Sequence, residues 1–271
     1  DQLTNPIGSL GKLESITSKM MSILGKMEPV DFKKTTIIMC ADNGVVEEGV
    51  SACPQSVTYT VTENFTKDIT GIANLSTFFG SDTTIIDIGV KGTFNHPLIG
   101  NYKILNGTNN IATGPAMTHA QALRAINSGI QIVDKLVASG YNLFGTGEMG
   151  IGNTTTSAAV LSALEGLDPD LVSGKGAGIT LDQHKLKQDV IKKAIKINQP
   201  KERDVIDVLS KVGGLDIAGL CGCFLGAAKN KTPIVIDGVI SAVAALCAFR
   251  LAPDVIDYIF PSHLSQEPGM P

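Results

Sequence analysis

The stretch TTIIMCADNG, Thr35 to Gly44, is a run of β-branched and apolar residues closed by turn formers. Its apolar core does not alternate with polar residues, so the strand it predicts must be covered on both faces. Three other stretches share this form: TTIIDIGV (83–90), NLFGTGE (142–148) and TPIVIDGV (232–239). Each is a short apolar run with Asp, Glu or Gly at its carboxyl end. Strands buried on both faces are typical of parallel sheets, where crossover helices cover the two sides.

The segments between these strands carry helical patterns. THAQALRAINSGIQIVDKLVASG (118–140) opens with a Thr118…Gln121 capping box and ends at a glycine. LDQHKLKQDVIKKAIKIN (181–198) and ERDVIDVLSKVGG (202–214) are amphipathic. LDIAGLCGCFLGAAKN (215–230) and VISAVAALCAFRLA (239–252) are apolar on nearly every side, which predicts buried helices. Near the start, Leu10, Leu13, Ile16, Met20 and Leu24 recur at helical spacing behind Ser9, an expected N-cap. Strands alternating with helices predict an α/β fold: a mostly parallel, doubly wound, Rossmann-like sheet flanked by helices. Residues 1–30 are expected to form the N-terminal helical part of a small subdomain, and residues 31–271 the α/β domain.

Composition narrows the function. The 22 Lys and Arg against 26 Asp and Glu leave a formal net charge of −4, with no long block of like charge. That excludes a basic nucleic-acid footprint. The longest apolar runs fall short of the ~20 residues that cross a bilayer. Five cysteines at irregular spacing make no disulfide framework, and the Cys221/Cys223 pair reads as buried thiols. No signal peptide is visible, so a soluble, cytoplasmic protein is expected. The 29 glycines imply tight turns and close backbone approaches.

Ligands of open parallel sheets bind beyond the carboxyl ends of the strands. Asp42, Asn43, Asp87, Glu148 and Asp237 fall there. Carboxylates converging at that edge would build a negative pocket; alternatively each caps the next helix. GEMGIGNTTTSAA (147–159) sets Glu148 among glycines just before a helix expected to start near Asn153 or Thr154. A second glycine turn, SGKGAGI (173–179), precedes another helix carrying Lys187. Backbone N–H groups at such turns attract anions, and the lysine adds a cation, which suits a phosphorylated ligand. The glycine spacing is neither a P-loop nor a dinucleotide fingerprint. His96, His119, His184 and His263 form no metal-ligand spacing, and no metal or cofactor is expected.

Seven ordered motifs carry a resemblance across essentially the whole chain: NPIGSLGKLE, ADNGVVEEGVSACPQSVT, LFGTGEMGIGNTTTSAA, INQP, DVLSKVGGLDIAGLCGCFLGAA, PIVIDGVISAVAAL and PSHLSQE. Together they resemble nicotinate-nucleotide:dimethylbenzimidazole phosphoribosyltransferases, enzymes of cobamide lower-ligand assembly. The resemblance implies transfer of phosphoribose from nicotinate mononucleotide to a benzimidazole nitrogen, releasing nicotinate. It also implies a homodimer. It places Glu148 in the active site near the reacting bases and ribose. Phosphate and ribose contacts fall on Gly150, Gly174, Gly176, Ala177 and Lys187, with Asp216, Asp237 and Ser265 at or near them. A helix N-cap is the plainer reading of Asp216. The base pocket falls on Asp42, Asn43, Cys53, Val61 and Met149.

Three departures stand out. The family's principal base is a glutamate in a GEG motif beyond SHLSQE, and this sequence ends at Pro271 before it. The family's Asp-His-Gly is Asp42-Asn43-Gly44 here, which replaces a titratable ring by an amide. Cys53 and Val61 stand where some members carry polar side chains, which leaves open a benzimidazole, a purine or a phenol as acceptor. A non-catalytic nucleotide-binding homologue is the competing reading.

Overall fold

The computed structural model describes residues 6, 8–28, 30–176 and 178–269. The four expected strands form as β1 (Lys34–Ala41), β2 (Asp82–Gly89), β4 (Leu143–Met149) and β5 (Ile234–Ile236). Two three-residue strands join them, β3 (Ile99–Asn101) and β6 (Ile259–Pro261). All five pairings are parallel, and the order across the sheet is β3-β2-β1-β4-β5-β6. That is the doubly wound order whose connections reverse direction between β1 and β4. The reversal opens a crevice at the carboxyl ends of those two strands.

The helices are α1 (Lys12–Leu24), α2 (Ser56–Asn64), α3 (Gly71–Phe78), α4 (His119–Ala138), α5 (Asn153–Glu165), α6 (Pro169–Val172), α7 (Leu181–Asn198), α8 (Val205–Val212), α9 (Leu215–Lys229) and α10 (Val239–Leu251). The Thr118–Gln121 capping box forms at α4, and Thr180 with Gln183 makes a second one at α7. The larger core packs α4, α5, α8, α9 and α10 on the Ile37 and Met39 side of β1. Phe144 and Phe224 are fully buried there, which contributes about 2 kcal/mol each. On the opposite side Ile38, Cys40 and Ile85 gather Tyr59 and Val61 of α2, Ile72 of α3, and Met149. As expected, α9 and α10 are buried, and the thiols of Cys221 and Cys223 are fully enclosed.

The structure corrects one end. Ser9 does not cap α1, which begins at Lys12 behind Gly11 with no side-chain cap. The Glu14 carboxylate instead accepts from the Gly8 and Leu10 amides, 3.0 and 3.1 Å away. An acid in the first turn thus satisfies donors upstream of it. The helix is tied to the α/β unit by Lys19 Nζ, which donates to the Ile256 and Ile259 carbonyls.

Candidate active site

Strand β4 delivers the central acid. Gly145 and Gly147 leave one face of the strand bare, and a cavity of about 340 Å³ lies along it. Thr36, Ile38, Phe65 and Ile72 line the apolar part, while Glu148, Asp237 and Ser262 form a polar end. Side chains alternate across a strand, so Glu148 turns away from the glycine face, toward α5 and α9. There the Asn153 amide Nδ2 donates to Glu148 Oε2 and also, at 3.1 Å, to Asp216 Oδ2.

Asp216 is fully buried in the first turn of α9. It is not the N-cap, a position held by Gly214, although its Oδ1 accepts the Ile217 amide at 3.0 Å. Asn43 is fully buried beside it and accepts from Thr156 Oγ1. This packing explains Gly150. A Cβ there would stand 2.5 Å from the Ala41 carbonyl, 2.7 Å from Asp216 Oδ2 and 2.9 Å from Asn43 Nδ2. The glycine lets three elements close around the acids.

The acids are shifted from their ordinary ranges. Burial, and then the charge of Asp216, push the Glu148 carboxyl up to about 7, while the Asn153 donor pulls it down. Burial pushes Asp216 up to about 6, opposed by hydrogen bonds from Asn153 and the Ile217 amide.

One residue along α5, Thr154 belongs to a cationic corner. Lys187 is 1% exposed, and its Nζ donates to Thr154 Oγ1 and to the Gly174 carbonyl, each at 2.9 Å. Burial pulls Lys187 down to about 8, and Glu267 raises it in part. Gly176 sits at φ +54° against the Thr154 side chain. Gly174 packs under Glu267, whose carboxylate would overlap any Cβ placed there. Ser265 Oγ accepts the Glu267 amide at 3.3 Å, so it shapes that same turn. Ala177 lies outside the described residues. The acid pair and the lysine thus meet at the N-terminus of α5.

Other expected site residues sit elsewhere. Asp42 is 1% exposed and does not line the cavity. Its Oδ2 accepts the Lys91 amide at 2.6 Å, and burial raises its carboxyl above the usual range. Asp87 pairs with Lys103 at 2.9 Å and accepts the Val90 amide. The strand-end carboxylates therefore split into two groups: Glu148, Asp216 and Asp237 converge, while Asp42 and Asp87 are held with Lys91 and Lys103. Val61 and Met149 pack together in the smaller core, and Cys53 is half-buried at the loop before α2.

The chain matches the family model described as phosphoribosyltransferase over residues 1–271. It is 54% identical over 270 residues to the nicotinate-nucleotide–dimethylbenzimidazole phosphoribosyltransferase of Clostridium tetani, covering 100% of this chain and 75% of that protein. The chain belongs to this phosphoribosyltransferase family. The enzyme of the same name from Ruminiclostridium cellulolyticum is also 54% identical, over 99% of this chain and 76% of its own length. The crystal structure of CobT from Thermus thermophilus superposes with a TM-score of 0.94 at 35% identity, covering 99% of this chain and 81% of that one.

Sequence reasoning missed Asn153, Thr154 and Glu267. Asn153 and Thr154 were legible as a helix start. Which first-turn side chains face the site depends on how α5, α7 and α9 pack, and no local pattern records that.

Proposed function

We propose that this chain moves the phosphoribosyl group of nicotinate mononucleotide to dimethylbenzimidazole or a related lower-ligand base. The products are α-ribazole phosphate and nicotinate. The observation that carries this reading is the juxtaposition, across one helical turn, of a buried carboxylate pair and a buried lysine. The acids suit a sugar carbon that develops positive charge; the lysine suits a phosphate.

In the reaction, a benzimidazole nitrogen bonds to C1′ as the bond from C1′ to the nicotinate ring nitrogen breaks. The electron pair of that bond stays on the ring, which loses its positive charge, so the leaving group needs no proton. The transition state is oxocarbenium-like, as in glycoside chemistry. An ionised Glu148 stabilises it, while the acceptor's N–H proton passes to a base. Lys187 and the turns at Gly150, Gly174 and Gly176 hold the phosphate and ribose. The apolar slot between Ile38, Phe65 and Ile72 supports a planar aromatic base. The five free cysteines support a reducing, cytoplasmic setting. Exposed Phe78 and Phe79 at the end of α3 support a homodimer contact.

The test incubates the whole gene product with nicotinate mononucleotide and a panel of benzimidazoles, purines and phenols. Nicotinate release matched by an α-riboside phosphate is the expected result. Bound nucleotide with no turnover on any acceptor would replace this reading with a binding protein. Sedimentation velocity checks the dimer.

A further inference from the structure

We propose that Asn153 is the positioning residue of this reaction: its single side-chain nitrogen holds Glu148 and Asp216 together as a pair that shares one proton. The inference rests on the phosphoribosyl-transfer reading for its catalytic consequence and on geometry for its substance.

An amide nitrogen carries two protons, and Nδ2 of Asn153 sends one toward each acid, to Glu148 Oε2 and Asp216 Oδ2. Both neighbours are acceptors, so the NH2 end and not the carbonyl of the amide must face them. The residue is 5% exposed and stands at the first position of α5, where its backbone N–H donates to the Gly150 carbonyl at 3.0 Å. The side chain is therefore aimed by the glycine turn that carries Glu148 itself.

Among the described residues no cation neutralises this pair. Asp216 faces Glu148 from α9 and Asp237 from the end of β5, while the Cys40 thiol lies on the other face of the sheet. Among the described residues, neither acid has a Lys, Arg or His in ion-pair reach. Two like charges held close in a low dielectric do not both ionise freely. The neutral amide supplies the donors that let one charge persist, and it fixes which oxygens carry it. Glu148 is half-buried, and its second oxygen is the one that the amide leaves free for substrate. The shifts of both acids agree, since each is raised by burial and lowered by Asn153.

The experiment compares wild type, Asn153→Ala and the isosteric Asn153→Asp in the whole gene product. Without the amide donor, the acid limb of the kcat profile should move up by about one pH unit. Turnover at pH 7 should fall about fivefold, with KM for nicotinate mononucleotide changed less than about twofold. Asn153→Ala added to Glu148→Gln should cost little more than Glu148→Gln alone, because the two act through one group. An unmoved pH profile, or losses that simply add, would overturn the proposal, whatever the change in melting temperature. Carboxyl-carbon NMR titration of Glu148 gives a readout independent of turnover. It should titrate higher in Asn153→Ala than in wild type; an unchanged titration sinks the inference. If wild type shows no transfer at all, the functional reading fails while this titration still decides the role of Asn153. If Asn153→Ala does not fold, Asn153→Leu, which is similar in size and adds neither a donor nor a charge, carries the same titration.

Discussion

Lys187 differs from the other lysines of its helix. Lys185, Lys192, Lys193 and Lys196 face water, whereas Lys187 lies on the stripe with Val190, Ile191, Ala194 and Asn198. A cation on the apolar face of an amphipathic helix has either a partner or a task. Here its hydrogen-bond partners are a hydroxyl and a carbonyl, both neutral, and the nearby Glu267 carboxylate offsets its burial only in part, which fits the proposed phosphate role. The sign of its titration follows. Burial lowers the group to about 8, so in the free protein it is charged below that pH and neutral above it. Nucleotide affinity should therefore fall as pH rises through about 8. Lys187→Ala should weaken nucleotide binding roughly tenfold to a hundredfold at pH 7 and flatten this dependence. Calorimetric titration with nicotinate mononucleotide between about pH 6.5 and 9.5 checks both. A variant that binds like wild type would remove the lysine from the phosphate site.

Among the elements, α4 and α9 share the most extensive helix contact, and glycines permit it. A Cβ on Gly129 would lie 2.1 Å from the Gly219 carbonyl and 2.8 Å from the Cys223 nitrogen. One on Gly222 would lie 1.9 Å from the Ile126 carbonyl. Backbone cannot yield as a flexible side chain does, so the helices must separate. Gly129→Ala is expected to destabilise the fold by about 3 kcal/mol, the upper part of the range for overpacking. Gly71→Ala, in the first turn of α3 with nothing within 4 Å, should be neutral or stabilise by up to about 1 kcal/mol. Urea unfolding of the two variants measures the contrast, and equal effects would refute the close-contact account. The elements missed from sequence are the short and ambiguous ones. β3 and β6 have three residues each, too few for any periodicity. α2 reads SVTYTVTEN, whose β-branched residues favour strands until packing on Ile38 and Cys40 makes it a helix.

For the whole molecule, the cysteines report on the integrity of the core. Cys40, Cys221, Cys223 and Cys247 are fully buried, and burial raises each of these thiols. Cys53 alone of the five keeps accessible surface. A thiol reagent should count one fast-reacting group in the native protein and five in denaturant. A second fast thiol in the native state would show that the core opens, either around β1 at Cys40 or in the α9–α10 layer.

The fold was legible in the sequence because its signals are local and repeated. Four continuous apolar runs specify buried parallel strands, and the patterned segments between them specify the crossover helices. Glu148 and Asp237 were expected at strand ends, Lys187 on a helix behind a glycine turn, and Asp216 only through the resemblance; the fold brings the three acids together and sets the lysine beside them. Only the tertiary structure decided which carboxylates act together. It grouped Glu148 with Asp216 through Asn153, and took Asp42 and Asp87 away to Lys91 and Lys103. That sorting depends on where β1, α5 and α9 converge, across 63 residues of chain in the Asn153–Asp216 contact. A sequence pattern records each residue's own element, whereas the field an acid feels is set by neighbours the fold brings to it.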